Sequence, residues 1–479
     1  MNRRILFLVD HKQRDLPSLT LISCYLEQQG FEPQLIALGT ELDVIERFDP
    51  QYIVLPKPIY DFERLVRWKR DGRRLIVIET EGNPQDLDFE LRIRVAPDLY
   101  LFWNQIMADR YRAQLEREGT AMRVLGFPRT DFLHERLHGV FPSRAQLLSK
   151  YGLDAGHRTL TIATCSPDSH FSEERVEAKR RRRSRSFAKS ADYMDHVNNQ
   201  RELRDKTVVF VRQLVESYPR LNIALKPHPN ENTVFWHDFL ESLDCPRVAL
   251  VVGEPVNHLL RVSDLHLSHN VCTTTVEALL AGVPVAEIHT GRSASMYGAR
   301  HLSIPTYQIM DFADLARAID AEVIGEPAHL HLEPSSRAKL DSYVSDFFST
   351  FDGRRCEAYA DTIAEWARTV ETLPRESGYL LARPKQSLLF AAVRLRAITR
   401  ALFAAARHRR QREIIAKVNA PDLEGVRSVR QIKGVLVDEE FGLYDNRMRP
   451  RDEKVWVERF RLAGLVGASA DEVGRAAEP

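Results

Sequence analysis

The sequence predicts an α/β protein of two doubly wound domains that face each other across a cleft, followed by a helical C-terminal tail. Three observations carry this. The chain has 479 residues, more than one hydrophobic core organises. Short, uniformly apolar runs alternate with amphipathic stretches, the pattern of parallel strands covered by helices on both faces. That alternation runs twice, and a basic run from Arg175 to Ser190 interrupts it.

In order, "RILFLV" reads as the first buried strand and "LTLISCYLEQQG" as the helix after it. "EPQLIAL", "YIVLP", "RRLIVIETEG", "DLYLFWN" and "MRVLGFP" continue the rhythm to Pro128. Beyond the arginine run a long helical pattern leads to "NIALKPHP", "VALVVGEP", "SDLHLSH" and "GVPVAEIH". The expected units are a first domain over 1–190, a second over 191–374 and a tail over 375–479. In the tail, Leu388, Ala391, Leu395, Ile398 and Leu402 share one helical stripe while Arg394, Arg396 and Arg400 point elsewhere. Such a basic amphipathic helix lies on an anionic membrane surface or docks on the second domain, and both readings stay open.

Net charge is +1, so no overall field draws the chain to nucleic acid. The five cysteines lack metal-ligand or paired spacing, which suits a reducing, cytoplasmic setting. The first apolar run is too short for a signal segment, and no stretch approaches the roughly 20 apolar residues of a membrane span. Membrane contact is therefore expected to be peripheral.

Ligands of doubly wound sheets bind beyond the carboxyl ends of the strands, so the residues just after those ends matter most. In "LNIALKPHPNEN" the strand ends at Lys226, and Pro227 and Pro229 fix the backbone around His228. A lysine and a rigidly presented imidazole suit a phosphate oxygen; the competing reading is a strand-ending turn. In "SHNVCTTTVEALLAGVPV" a strand gives way to His269 and Asn270, and Thr273 and Thr274 open a helix whose amides offer a phosphate seat. Glu277, one turn in, is placed to accept from ribose hydroxyls. Ordinary threonine N-capping is the bland alternative. In "RRLIVIETEG", Glu79 and Glu81 follow a first-domain strand, where a carboxylate with a raised pKa takes a proton from an acceptor hydroxyl. Asp86 and Asp88 read as a helix start and not a metal pair, and Cys272 reads as a small buried residue that nothing local marks as a reactive thiolate. No cofactor or metal is called for.

"GFPRTDFL", "KPHPNEN" followed by Trp236, "SHNVCTTTVEALLAGVPV" and "FDGRRCEAYADTIAEW" occur in the order found in the bacterial surface carbohydrate biosynthesis protein family, which the chain resembles from Leu6 to Trp366. The resemblance implies GT-B architecture, with two Rossmann-like domains and a nucleotide-sugar donor held mainly by the second. It adds Arg129 and Glu231 to the site candidates. A broader similarity to GT-B sialyltransferases and capsule Kdo transferases implies a CMP donor: His228 with Pro229 at the nucleotide, Thr273 with Thr274 at its phosphate, and Glu81 before Gly82 as base. The expected activity is metal-independent transfer of a sugar, Kdo or a related nonulosonate, to a surface glycan or lipid-linked acceptor. The alternatives are a nucleotide-diphosphate sugar or CDP-glycerol donor and, from another class, a catalytically silent membrane-associated glycan-assembly adaptor.

Overall fold

The computed structural model describes residues 3–38, 41–57, 62–79, 93, 95–183, 193–229, 231–269, 272–291, 306–325, 333–370 and 450–466. Among them two parallel sheets of six strands stand one after the other in the chain. The first contains β1 (Arg4–Val9), β2 (Glu32–Ala37), β3 (Tyr52–Leu55), β4 (Arg74–Ile78), β5 (Leu99–Phe102) and β6 (Ala121–Val124), in the order β2-β1-β3-β4-β5-β6. The second contains β7 (Arg158–Ala163), β8 (Leu221–Lys226), β9 (Val248–Leu250), β10 (Leu265–His269), β11 (Val285–Ile288) and β12 (Tyr307–Ile309), in the order β12-β11-β10-β7-β8-β9. These are two Rossmann-like domains. Their strands are apolar on both faces because helices cover both, and Ile5, Ile53, Leu160 and Ile223 are wholly buried.

Strand order reverses between β1 and β3 in the first sheet and between β7 and β10 in the second. Neighbouring crossovers there leave on opposite faces and open a crevice at the carboxyl ends. The two crevices turn towards each other. Trp103 and Phe127, which follow β5 and β6, pack in one cluster with Val276, Leu279 and Phe348 of the second half, and Trp103 and Phe127 have ring centroids 3.5 Å apart.

The division of the chain departs from a boundary at residue 190. Strand β7 is the middle of the second sheet, paired with β8 on one side and β10 on the other, so that sheet begins well before the arginine run. The helix Arg355–Val370 leaves the second domain and returns to the first, packing Tyr359, Ala360, Ile363, Ala364 and Ala367 into the core around Ile22 and Leu26. Small residues on that face allow close approach to the helix Lys12–Gln28. Asp131 caps the returning helix, accepting from Arg355 N at 2.8 Å and Cys356 N at 2.7 Å.

Of the tail, the described residues form one helix, Pro450–Leu462, with Trp456 and Phe460 buried in the first-domain core. The stripe from Leu388 to Leu402 lies outside the described residues, as do the side chains of Arg181, Arg182 and Arg183. Among the described residues no helix is long and apolar enough to cross a membrane.

Candidate functional site

The carboxyl ends of β7, β8 and β10 are stitched into one surface by the segment Thr164–Ser166. On one side Glu231, fully buried, accepts from Thr164 Oγ1 at 2.8 Å, from Ser166 N, and from Trp236 Nε1 at 2.7 Å. Its own amide donates to His228 O at 2.8 Å, closing the K-P-H-P turn. Burial raises the Glu231 pKa in spite of these donors. Glu231 thus holds the turn in place.

On the other side His269, also buried, accepts at Nδ1 from Cys165 N at 2.9 Å, with Ser166 Oγ 3.0 Å away. That leaves the proton on Nε2, 2.8 Å from Thr207 Oγ1. Burial pushes the pKa of His269 down to about 3, so the ring is neutral. Read from sequence as a donor ligand, His269 sits inside the scaffold and fixes the switch-point segment. Asn270 lies outside the described residues.

Two further groups end this edge. Lys226, the last residue of β8, is 9% exposed, and burial pulls its pKa down to about 8, with Glu254 opposing the shift. His228 is half-buried in the turn that follows. The helix Thr273–Leu280 starts after β10, on the other side of β7 from β8. Its N-cap position is Cys272, whose side chain makes no capping hydrogen bond, so none of the threonines occupies the cap. Thr274 Oγ1 is buried, and with its amide it faces the Cys272 sulfur. The third threonine, Thr275, turns into the sheet, 2.8 Å from Ser268 Oγ and donating to Glu287 Oε1 at 2.9 Å. Helix starts without a side-chain cap leave amide donors of the kind that can seat an anion.

Cys165 reaches Cys272 across the switch point, and that contact, with the Thr274 hydroxyl and amide, draws the Cys272 thiol pKa down while the Cys165 pKa rises. The signal was invisible locally because the partner comes from another strand.

Glu277 faces the first domain. Its Oε1 lies 3.4 Å from Arg129 Nη2, whose guanidinium stands 4.4 Å over the Phe127 ring. Burial raises its pKa, against the fields of Arg129 and Arg14. This ion pair spans the two halves and leaves Glu277 engaged by arginine.

Across the cleft, Glu79 is buried and its carboxylate accepts from Tyr100 Oη at 3.1 Å inside the first domain. Glu81 lies outside the described residues. The switch point of the first sheet carries a cluster that sequence reading missed: Arg14 Nη2 is 3.3 Å and Lys57 Nζ 3.4 Å from Asp10 Oδ2, and Arg14 also donates to buried Asp15 at 2.7 and 2.9 Å. Strand order brings these residues together, and no local motif announces them.

No protein-family model and no curated protein matches the chain. Among solved structures it is similar to the wall teichoic acid polymerase TagF, at 12% identity and a TM-score of 0.51 over 78% of this chain and 90% of that one. A variant of the same polymerase soaked with CDPG aligns at 11% identity and a TM-score of 0.50 over 77% of this chain and 89% of that one. S. aureus MnaA with UDP gives 12% identity and a TM-score of 0.48 over 78% and 99%. The TagF likeness bears on the fold, and with the two facing six-stranded sheets it gives the chain GT-B architecture.

Proposed function

We propose that the protein is a GT-B transferase that takes a sugar from a cytidine-nucleotide donor and places it on a surface glycan or lipid-linked acceptor. One observation supports this most: a buried lysine and a proline-flanked histidine end β8, and a helix start without a side-chain cap follows β10, the two strands that flank β7 in the second sheet. Lys226 and His228 bind the donor phosphate and neutralise the charge left on the departing nucleotide, while the amides and hydroxyls of Thr273 and Thr274 complete the seat. Glu277 stands at the seat's inner end, where its bond to Arg129 couples the donor site to the first domain.

In the transfer, the acceptor hydroxyl gives its proton to a carboxylate and its oxygen attacks the anomeric carbon. The bond from that carbon to the phosphate oxygen breaks, and its electron pair leaves on the nucleotide. Because the Glu79 carboxylate is engaged inside the domain, Glu81 is the base of this proposal. A CMP-linked nonulosonate such as Kdo is the specific donor proposed, on the resemblance of the K-P-H-P and Thr-Thr runs. The likeness to TagF favours a second reading, a CDP-linked donor of the kind soaked into that polymerase.

The test is binding of CMP, CDP, UDP and GDP to the protein beside a His228→Ala variant. Expected is a preference for CMP that weakens about tenfold or more in the variant, the worth of a charge-assisted hydrogen bond. A preference for CDP replaces the donor with the second reading. Absence of binding to all four overturns the transferase and favours the adaptor.

A further inference from the structure

Cys165 and Cys272 follow different strands of the second sheet, and the fold sets them side by side. Strands β7 and β10 pair in parallel, with Leu265 opposite Leu160 and Ser268 opposite Ala163. Cys165 comes two residues after Ala163, and its amide donates to His269 Nδ1 at 2.9 Å, at the carboxyl end of β10. Cys272 comes three residues after His269, in the N-cap position of the helix Thr273–Leu280. There the two sulfurs meet in a thiol–thiol hydrogen bond. Both residues are partly exposed, as is Cys245, whereas Cys24 and Cys356 are buried.

The surroundings make the two sulfurs unequal. Cys272 accepts from the Cys165 thiol and from the Thr274 hydroxyl and amide, at a helix start where the peptide dipoles favour negative charge. These contacts draw its pKa down, against burial and the charge of Glu277. Cys165 donates to Cys272, and that bond, burial and the charge of Glu231 hold its proton in place. His269 is neutral and engaged at both ring nitrogens, so it supplies no positive charge to either sulfur.

We propose that Cys165 and Cys272 are a redox-active pair, with Cys272 the attacking sulfur and Cys165 the resolving one, which a peroxide closes into a disulfide at the start of the helix Thr273–Leu280. The pair stands on the adjacency of β7 and β10, and its link to the donor rests on reading that helix start as the phosphate seat. A phosphate there competes with the Cys272 thiolate for the Thr274 donors. Bound nucleotide and reactive thiolate therefore oppose each other.

In the first step Cys272 Sγ attacks one peroxide oxygen, the O–O bond breaks, and the hydroxide that leaves takes up the proton released by the thiol. The product is a sulfenic acid on Cys272. Cys165 Sγ then attacks Cys272 Sγ: the S–S bond forms, the S–O bond breaks, and the departing hydroxide leaves as water with the Cys165 proton. Two thiols are oxidised by two electrons and one peroxide is reduced to two waters.

The test uses the full chain, reduced, near pH 7. Limited alkylation by iodoacetamide with peptide mapping ranks the thiols: Cys272 is expected to react about threefold or more faster than Cys245, a larger thiolate fraction outweighing weaker nucleophilicity, while Cys24 and Cys356 stay unmodified. Hydrogen peroxide is expected to give a linked Cys165–Cys272 peptide that dithiothreitol removes. In Cys165→Ser a sulfenic acid on Cys272, trapped with dimedone, takes its place. Saturating CMP is expected to slow alkylation of Cys272 about tenfold, one unit of thiol pKa, and to leave Cys245 unchanged. A Cys272 no faster than Cys245, or peroxide products without the Cys165–Cys272 link, overturns the pair, and both readouts need no variant to fold. If the link forms and CMP binds without slowing alkylation, competition at the helix start is overturned. If the link forms and CMP does not bind, the donor reading fails and the pair stands.

Discussion

Glu231 sits three residues past the histidine that draws attention in the K-P-H-P turn, yet more of the local order depends on it. A carboxylate that accepts from Thr164, Ser166 and Trp236 in a buried site leaves three donors unpaired when it is removed. Glu231→Ala is expected to cost about 3 kcal/mol, the scale of broken buried polar networks, and to weaken nucleotide binding with it. Glu231→Gln, which keeps one acceptor, is expected to lose less than half of that by chemical denaturation. A loss within about 0.5 kcal/mol for the alanine variant would mean that the turn is held by its prolines alone. At this scale the sequence was readable where a candidate residue and a marked backbone share one run. Lys226 and His228 could be picked out because proline flanks the histidine, whereas Thr164, Cys165 and Ser166 carry no local mark of their adjacency to Glu231, His269 and Cys272.

Strand β10 carries two wholly buried histidines, His266 near its start and His269 at its carboxyl end, and burial pushes both pKa values down to about 3. Unfolding releases them to bind protons at ordinary imidazole values, so their contribution to stability is present above about pH 6.5 and is lost as pH falls towards 3. Each adds up to roughly 1.4 kcal/mol of lost stability per pH unit over that window. Urea midpoints measured from about pH 7 to pH 4 are expected to fall steeply in the protein and less steeply in His266→Gln, and equal slopes would show that the His266 ring is not held neutral. A second element-scale prediction concerns the turn after β6. Gly126 has φ +83°, and a Cβ there would meet Arg355 Cδ and Phe348 O at 2.9 Å each. Gly126→Ala combines a left-handed backbone with a clash against main chain, so a loss of about 2 kcal/mol is expected, read as a lower thermal midpoint. Elements themselves were legible, since continuous apolar runs punctuated by glycine and proline have one parallel-sheet reading. The capping of the threonine helix was not, because Cys272 occupies the cap without capping.

Where one domain ends and the next begins is a property of the whole molecule, and local pattern misjudges it. The basic run around Arg180 looks like a linker but follows β7, the middle strand of the second sheet, and the helix Arg355–Val370 belongs by packing to the domain it left long before. Strand order and return packing are long-range facts, as is the pair Arg129–Glu277 that bridges the halves. That pair supports a test of how the domains are joined. Glu277 is buried, and in Arg129→Ala it stands as a charge without its main partner, which is expected to cost about 3 kcal/mol near neutral pH. Burial already raises the Glu277 pKa, and loss of Arg129 raises it further. A carboxyl whose folded pKa lies above its unfolded one gives up stability as pH rises through the folded value, so the penalty of Arg129→Ala is expected to be small near pH 5 and to grow towards pH 8. In the double variant Arg129→Ala with Glu277→Gln the buried charge is gone, and the combined loss should fall short of the sum of the single losses by about 1–2 kcal/mol. A penalty that is flat with pH, together with additive losses, would mean that the two side chains do not act on each other across the cleft.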